Sequence, residues 1–442
     1  MPSPKSTSDD DINFTYQSLN QSEPSIRLIQ ILPMLSDNGR IQCAVTHTTI
    51  SAIYSCLSYR WGDCSPTHTI LVDGKPFTIR QNLFDFLMAA HTKAASEDPS
   101  VLGPHWIDAL CIDQSNVLER NHQVAQMSKI YAGAERVHIW LGKMDDLSFA
   151  TVLEHRNEMI VSNEQSIRYK PACRYFINCV VRNEYWTRTW IVQEYMLACR
   201  LRFWFNTRCI ARLPLLNCLR FVCRVEPNYQ KDIDDYLKAW DKRGHHHRDL
   251  ACTLDRFRNM HCYDPRDRIF SLLSLVRGDG QNLQVDYRRS PAELAIEVLR
   301  EYSGSLTFCV VVLVIQALRL QDTEPASMTP ETPPPRLEFL CGDPMDPSWY
   351  RNCPDQNKIS IHRNRDTGGI QDITYWSNEV SVRELVLPNE CIEVAYSGER
   401  AGIRISFHLL ARLMAGVHVE LCDYLHRTYV MRVNEAGCPR IC

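Results

Sequence analysis

Apolar and polar positions along the chain change period several times, and each change marks an element. Residues 26–32 (IRLIQIL) alternate and end at Pro33, which predicts a strand, and 43–45 extends it into a small sheet. From Tyr54 to Cys199, short apolar runs alternate with helical periods, the pattern of an α/β domain built on a mainly parallel sheet. Strands are predicted at 54–59, 106–112 and 136–141, each bounded by turn residues such as Gly62-Asp63, Gly103-Pro104 and Gly142. Helices are predicted at 82–91 and 117–131. Residues 200–305 read as mixed and mostly helical, with one strand at 201–205 and a helix at 291–302 opened by Ser290 and Pro291. The apolar run 306–318 is shorter than the ~20 residues of a membrane span and is predicted as a buried strand or core helix.

Residues 321–336 (QDTEPASMTPETPPPR) have the composition of a linker. Beyond it, strands are expected near 381–386 and 391–396 and a helix near 406–414. The expected organisation is a disordered 1–25, lead-in strands over 26–53, an α/β domain over 54–199, a mostly helical region over 200–320, the linker at 321–336 and a small mixed α+β part over 337–442.

Composition narrows the classes. A chain of 442 residues suggests about three folding units at ~150 residues each. With 45% hydrophobic and 23% charged residues and a net charge of -3, it is neither wholly disordered nor a polycation that coats nucleic acid. A DNA-binding role is further disfavoured because no basic recognition helix is found. The 19 cysteines are scattered with no C-x-x-C pair, and Cys218/Cys223 lacks a matching Cys/His pair, which disfavours structural zinc. Reduced thiols in a cytosolic or nuclear protein are expected. The polar 1–11 stretch and Met1-Pro2 carry no export or myristoylation signal, and the last four residues form no prenylation box.

Three stretches carry candidate chemistry. In the first, WIDALCIDQSNVLERNHQVAQMSKIYAGAERVHIWL, Asn116 and Glu119 are spaced as a capping box that starts a helix. Val117, Val124, Met127, Tyr131 and Ala134 form its apolar stripe, into which Arg120 and Gln123 also project. A guanidinium there needs a carboxylate, and Asp108 and Asp113 are the nearest candidates. Such a pair either pins strand to helix or lines a ligand crevice at the strand ends. In the second, YWTRTWIVQEYMLA, a helix from Trp190 puts Trp190, Gln193, Glu194 and Leu197 on one face. Glu194 then needs Arg188 or Arg120 as partner, or holds a raised pKa suited to acid–base work. In the third, YSCLSYRWGD, Tyr59, Arg60 and Trp61 end a strand and either floor a pocket or plug the core. The His245–His247 triplet reads as a solvated run. Phosphate-loop, nucleophile-elbow and H-E-x-x-H motifs are absent.

Taken in order, these stretches resemble the fungal heterokaryon-incompatibility (HET) domain. Its first block is similar to Y-x-x-LSY-x-WG at Tyr54 to Gly62. The second is similar to WIDA-x-CI-[DN]-Q and ER-x-x-QV-x-x-M-x-x-IY-x-x-A at Trp106 to Ala134, and the third to R-x-W-x-x-QE-x-x-LA at Arg188 to Ala198. DPRDRIFSLLSL at Asp264 to Leu275 and Val285-Asp286-Tyr287 resemble the segment that follows the domain in the heterokaryon-incompatibility protein 6 class. The last hundred residues depart from that class, as does Arg60, where a β-branched residue is usual.

The resemblance implies a flavodoxin-like sheet akin to the Toll/interleukin-1 receptor domain, and a cytoplasmic role in nonself recognition that ends in programmed cell death. It implies a protein partner encoded by an incompatible locus, with a homo-oligomer as candidate; from charge balance and apolar run length, neither nucleic acid nor a membrane span is expected. Two mechanisms stand open. In one, the domain signals by assembly. In the other it is an NAD glycohydrolase without a cofactor, NAD being the substrate, with Glu194 and Asp108 as catalytic carboxylates. Tyr59, Trp61, Asp113, Gln114, Arg120, Gln123, Trp190 and Gln193 would then bind. A divergent paralogue attached to a metabolite gene cluster is a third reading.

Overall fold

Nine strands form one sheet at the centre of the computed structural model, which describes residues 13–158, 162–240, 250–276, 282–301 and 308–320 and seven short strands beyond residue 335. In chain order the nine are β1 (Ser25–Ile31), β2 (Gln42–Thr49), β3 (Ser55–Tyr59), β4 (Thr67–Val72), β5 (Lys75–Arg80), β6 (His105–Trp106), β7 (Arg136–Trp140), β8 (Leu201–Phe205) and β9 (Arg208–Ala211). Their spatial order is β5-β4-β2-β1-β6-β3-β7-β8-β9. The middle four, β6-β3-β7-β8, run parallel, while β1 against β6 and β9 against β8 are antiparallel, so the sheet is mixed. Counted along the chain, the parallel strands stand second, first, third, fourth, and the direction of winding reverses between β3 and β7.

Helices connect the parallel strands, as strands of one direction require. α1 (Gln81–Ser96) precedes β6, α2 (Asp108–Cys111) and α3 (Val117–Gly133) precede β7, and α4 (Asp146–His155), α5 (Asn163–Val180) and α6 (Ile191–Leu197) precede β8. After β9 come α7 (Arg212–Val225), α8 (Gln230–Ala239), α9 (Leu250–Arg256), α10 (Asp267–Phe270), α11 (Pro291–Glu301) and α12 (Phe308–Ala317). The remaining strands are β10 (Arg336–Cys341), β11 (Lys358–Arg363), β12 (Ile370–Trp376), β13 (Cys391–Val394), β14 (Ile403–Ser406), β15 (Tyr429–Asn434) and β16 (Cys438–Ile441). They pair as β12-β11-β10-β15-β16 and β13-β14. Among the described residues no helix is long and apolar enough to cross a membrane.

Most of the expected strands of the α/β region form, with two differences. The strand expected at 106–112 is only two residues long, because Leu110 and Cys111 donate their N–H groups back to the Ile107 carbonyl and close a helical turn. A short apolar run does not distinguish these outcomes. The β4–β5 hairpin was not anticipated, although Asp73-Gly74 at its tip has φ of 50° and 77°, the left-handed pair that a tight hairpin turn needs. The sheet also runs across the divisions expected at 53/54 and 199/200, since β1, β2, β8 and β9 belong to it. The apolar run at 306–318 contains α12, the helical alternative. The linker up to residue 335, the 381–386 strand, the 407–414 part of the expected helix and His245–His247 lie outside the described residues.

The lead-in strand is held by a charge. Arg27 in β1 is completely buried, and its guanidinium meets the Glu119 carboxylate of α3 in a fork, Nη1–Oε1 at 2.5 Å and Nη2–Oε2 at 2.9 Å. Nη1 also donates to the Cys111 carbonyl at 3.0 Å, Nη2 to the Gln17 carbonyl, and the cation lies 4.8 Å from the centre of the Tyr16 ring. Asn116 caps α3 by accepting from Leu118 and Glu119 N–H at 3.1 and 3.2 Å. The second half of the expected capping box does not form, because the Glu119 carboxylate turns to Arg27 and to the Asp113 N–H.

Removing one member of a buried pair strands the other. Arg27→Met is therefore expected to destabilise the fold by ~3–5 kcal/mol, and adding Glu119→Leu to restore most of that loss. The midpoint of urea unfolding for the two variants measures both effects.

Candidate functional site

Glu194 is the centre of a buried polar cluster that draws in all three sequence blocks. It lies in the short helix α6 and is 1% exposed. Ser58 of β3, itself fully buried, donates its hydroxyl to Glu194 Oε2 at 2.5 Å and lies 2.6 Å from the Tyr185 hydroxyl. Arg188, between the 3-10 turn Glu184–Thr187 and α6, donates to the Tyr59 carbonyl and holds its charge close to Glu194 and Asp108. Asp108 opens α2 just past β6, accepts the Trp61 indole N–H at 2.7 Å and a hydrogen bond from Tyr59. Alternation along β3 sends Ser58 and Tyr59 to opposite faces, so one strand end serves both carboxylates.

Two acids thus lie within charge range of one guanidinium. Burial pushes the Glu194 carboxyl up to about 7, Arg188 and the Ser58 hydrogen bond oppose that rise, and the charge of Asp108 adds to it. Burial raises Asp108 as well, against Arg188, Trp61 and Tyr59. Burial works against the charge on Arg188, but Glu194 and Asp108 more than offset it. Tyr59, Tyr131 and Tyr185 are pushed upward chiefly by burial and stay as phenols. A carboxyl ionising near neutrality suits proton transfer, but Glu194 is sealed from solvent.

The crevice where winding reverses, between the ends of β3 and β7, is bridged by protein. Asn82 of α1 donates to the Arg60 carbonyl after β3 and accepts the Trp140 indole N–H at the end of β7 at 2.8 Å. Gly62, with φ of 74°, turns the chain away there, and Arg80 donates to its carbonyl at 2.8 Å while lying over Trp61. A place that in open α/β sheets receives ligands is filled by these side chains.

The remaining candidates divide. Gln193 is buried at 2% exposure beside Glu194 in α6. Gln114 is exposed and donates to the Asp108 carbonyl at 3.2 Å, and Asp113 closes a local turn by accepting from Ser115. Gln123 is fully buried and donates to the Ser25 carbonyl at 2.8 Å, fixing α3 to β1. Arg120 makes no ion pair with Asp108, Asp113 or Glu194, contrary to expectation. Its guanidinium lies 4.1 Å from the centre of the Tyr287 ring, in a second cluster where Asp264 and Asp267 supply the negative charge. One helical position separates the two roles: Glu119 faces the sheet, and Arg120 turns towards the later chain. In that cluster the Tyr287 hydroxyl donates to Asp267 at 2.5 Å, Trp190 joins by a hydrogen bond, and burial lifts the Asp267 carboxyl to about 6. Arg266 grips Asp264 through Nε at 2.9 Å and Nη2 at 2.6 Å and reaches the Tyr287 and Arg289 carbonyls. Sequence reasoning missed the roles of Ser58, Tyr185 and Arg27. Ser58 had a signal, as a hydroxyl inside an apolar strand.

Residues 54–194 match the family model described as heterokaryon incompatibility protein (HET). The chain is also 34% identical over 148 residues to heterokaryon incompatibility protein 6, OR allele, of Neurospora crassa, covering 30% of this chain and 21% of that protein. It therefore spans about a fifth of the length of that relative. No solved structure matches.

The raised Glu194 carboxyl has a sign that stability measurements can read. In the unfolded chain it ionises near 4.5 and in the fold near about 7, so the folded state holds the proton longer. Its contribution is complete below the lower value and is lost as pH rises through the higher one, about 3 kcal/mol in all. Glu194→Gln removes this loss. Relative to wild type, the variant is expected to gain about 3 kcal/mol between about pH 4 and about pH 8 in denaturant unfolding.

Proposed function

We propose that this chain, whose residues 54–194 are a HET domain of the heterokaryon incompatibility protein 6 class, acts in heterokaryon incompatibility as a cytoplasmic effector of nonself recognition that triggers programmed cell death. The observation that carries the reading is the match of residues 54–194, which contain the three sequence blocks up to Glu194. The parallel order second, first, third, fourth supports a flavodoxin-like core related to the Toll/interleukin-1 receptor domain.

The mechanism proposed is assembly rather than chemistry. Glu194 is 1% exposed with Oε2 held by Ser58, and the crevice beside it is bridged by Asn82. A glycosidic substrate needs its carboxylates to reach the sugar, which this arrangement does not offer. The blocks act instead as a lock that joins β3, α2 and α6, so that the domain presents a fixed outer surface to a partner encoded by the incompatible locus, or to its own copies.

Inducible expression of the full chain in a filamentous fungus, with viability and cellular NAD followed together, tests this. Loss of viability before any fall in NAD is the expected outcome. NAD falling first would favour the glycohydrolase, and unimpaired growth at high soluble expression would count against the effector role.

A further inference from the structure

We infer that the end of the sheet opposite the Glu194 cluster binds a multiply phosphorylated small molecule. A cavity of about 500 Å³ opens at the start of β7 and β8, lined by Arg136, Arg200, Arg202 and Arg212 with Leu201 and Leu213 beside them. That volume suits a ligand of nucleotide size.

Charge sets the class of ligand. Four guanidiniums line the cavity; among the described residues Glu135 pairs with Arg136 at 2.5 Å and lies within charge range of Arg200, and Asp98 lies within charge range of Arg136. Among the described residues Arg212 makes a 3.4 Å contact from Nε to the Tyr195 hydroxyl. Arg200 and Arg202 are exposed, and their side chains have no hydrogen-bond or ion-pair partner among the described residues. Parallel pairing of β7 with β8 brings Arg136 and Arg200 to one end of the sheet, since Val137 pairs with Leu201. The β8–β9 hairpin then returns Ala211 to Arg202 and delivers Arg212 to the same rim.

Like charges collected at one rim repel, so the arrangement is unfavourable until an anion enters. Guanidinium forks match phosphate oxygens in pairs, which a single monovalent anion cannot exploit across four side chains. The first turn of α7 adds to the field: it starts at this rim, its cap Ala211 offers no side-chain acceptor, and it has no acidic residue. Leu201 and Leu213 supply apolar surface against which the uncharged part of a nucleotide can rest. The inference does not depend on the incompatibility reading.

Calorimetric titration of the full chain with ATP and with tripolyphosphate, against sulfate at equal ionic strength, tests it. Both polyphosphates are expected to bind well above sulfate. Tighter binding of ATP assigns a nucleotide and equal binding assigns the phosphate chain alone. Arg200→Ala/Arg202→Ala, which alters exposed side chains only, is expected to weaken binding by about tenfold or more. Arg40→Ala/Arg168→Ala, which removes the same charge from exposed positions outside the cavity lining, is expected to leave it unchanged. Binding no stronger than sulfate, a pocket variant that binds like wild type, or equal losses in both doubles would overturn the assignment.

Discussion

A carboxylate taken out of water has to find a cation or keep its proton, and Glu119 and Glu194 illustrate the two outcomes. Glu119 finds Arg27 and is bound at both oxygens. Glu194 has a share of Arg188 together with Asp108, and burial moves its ionisation towards neutrality. Both are placed where chain segments far apart in sequence meet. Leaving either group without its partners exposes a full desolvation penalty, so the segments around them are held in one arrangement.

That constraint bears on what the domain can do. The same blocks that match the family model form the polar interior, and the aromatic residues around them serve as hydrogen-bond donors to it: Trp61 to Asp108, Tyr185 in contact with Ser58, Trp140 to Asn82. The later segment joins through Arg120, Trp190, Asp267 and Tyr287, which extends the packed unit past residue 194 to the DPRDRIF stretch. A rigid body of this kind is suited to presenting a surface. Proton transfer at Glu194 would require the lock to open.

The strands β1, β3, β7 and β8 were legible because each is a buried run closed by a turn residue or a charge. The 106–112 stretch was not, since Ile107, Leu110 and Cys111 are equally at home in a strand or in one helical turn, and only the N–H bonds to the Ile107 carbonyl decide. Reading of the contacts held for Arg188, one of the two partners expected for Glu194, which the structure places close to that carboxyl. It failed for Arg120 because helical projection fixes a direction but not what lies there, and Tyr287 comes from far along the chain. Arg27 was hidden by the alternation of its own strand, in which a charged residue normally faces solvent; here its face of β1 is covered by Glu119 of α3, Cys111 and the Tyr16–Gln17 segment.

Glu194→Gln separates a lock from a catalyst, because the amide keeps the shape and an acceptor for Ser58 while losing the ability to exchange a proton. The most direct measurement is killing by this variant in a fungal host, compared with wild type at matched levels of soluble protein. If the buried cluster acts by holding the domain together, the variant causes the proposed loss of viability to the same extent as wild type; a folded, soluble variant that loses a wild-type effect on viability would contradict the account.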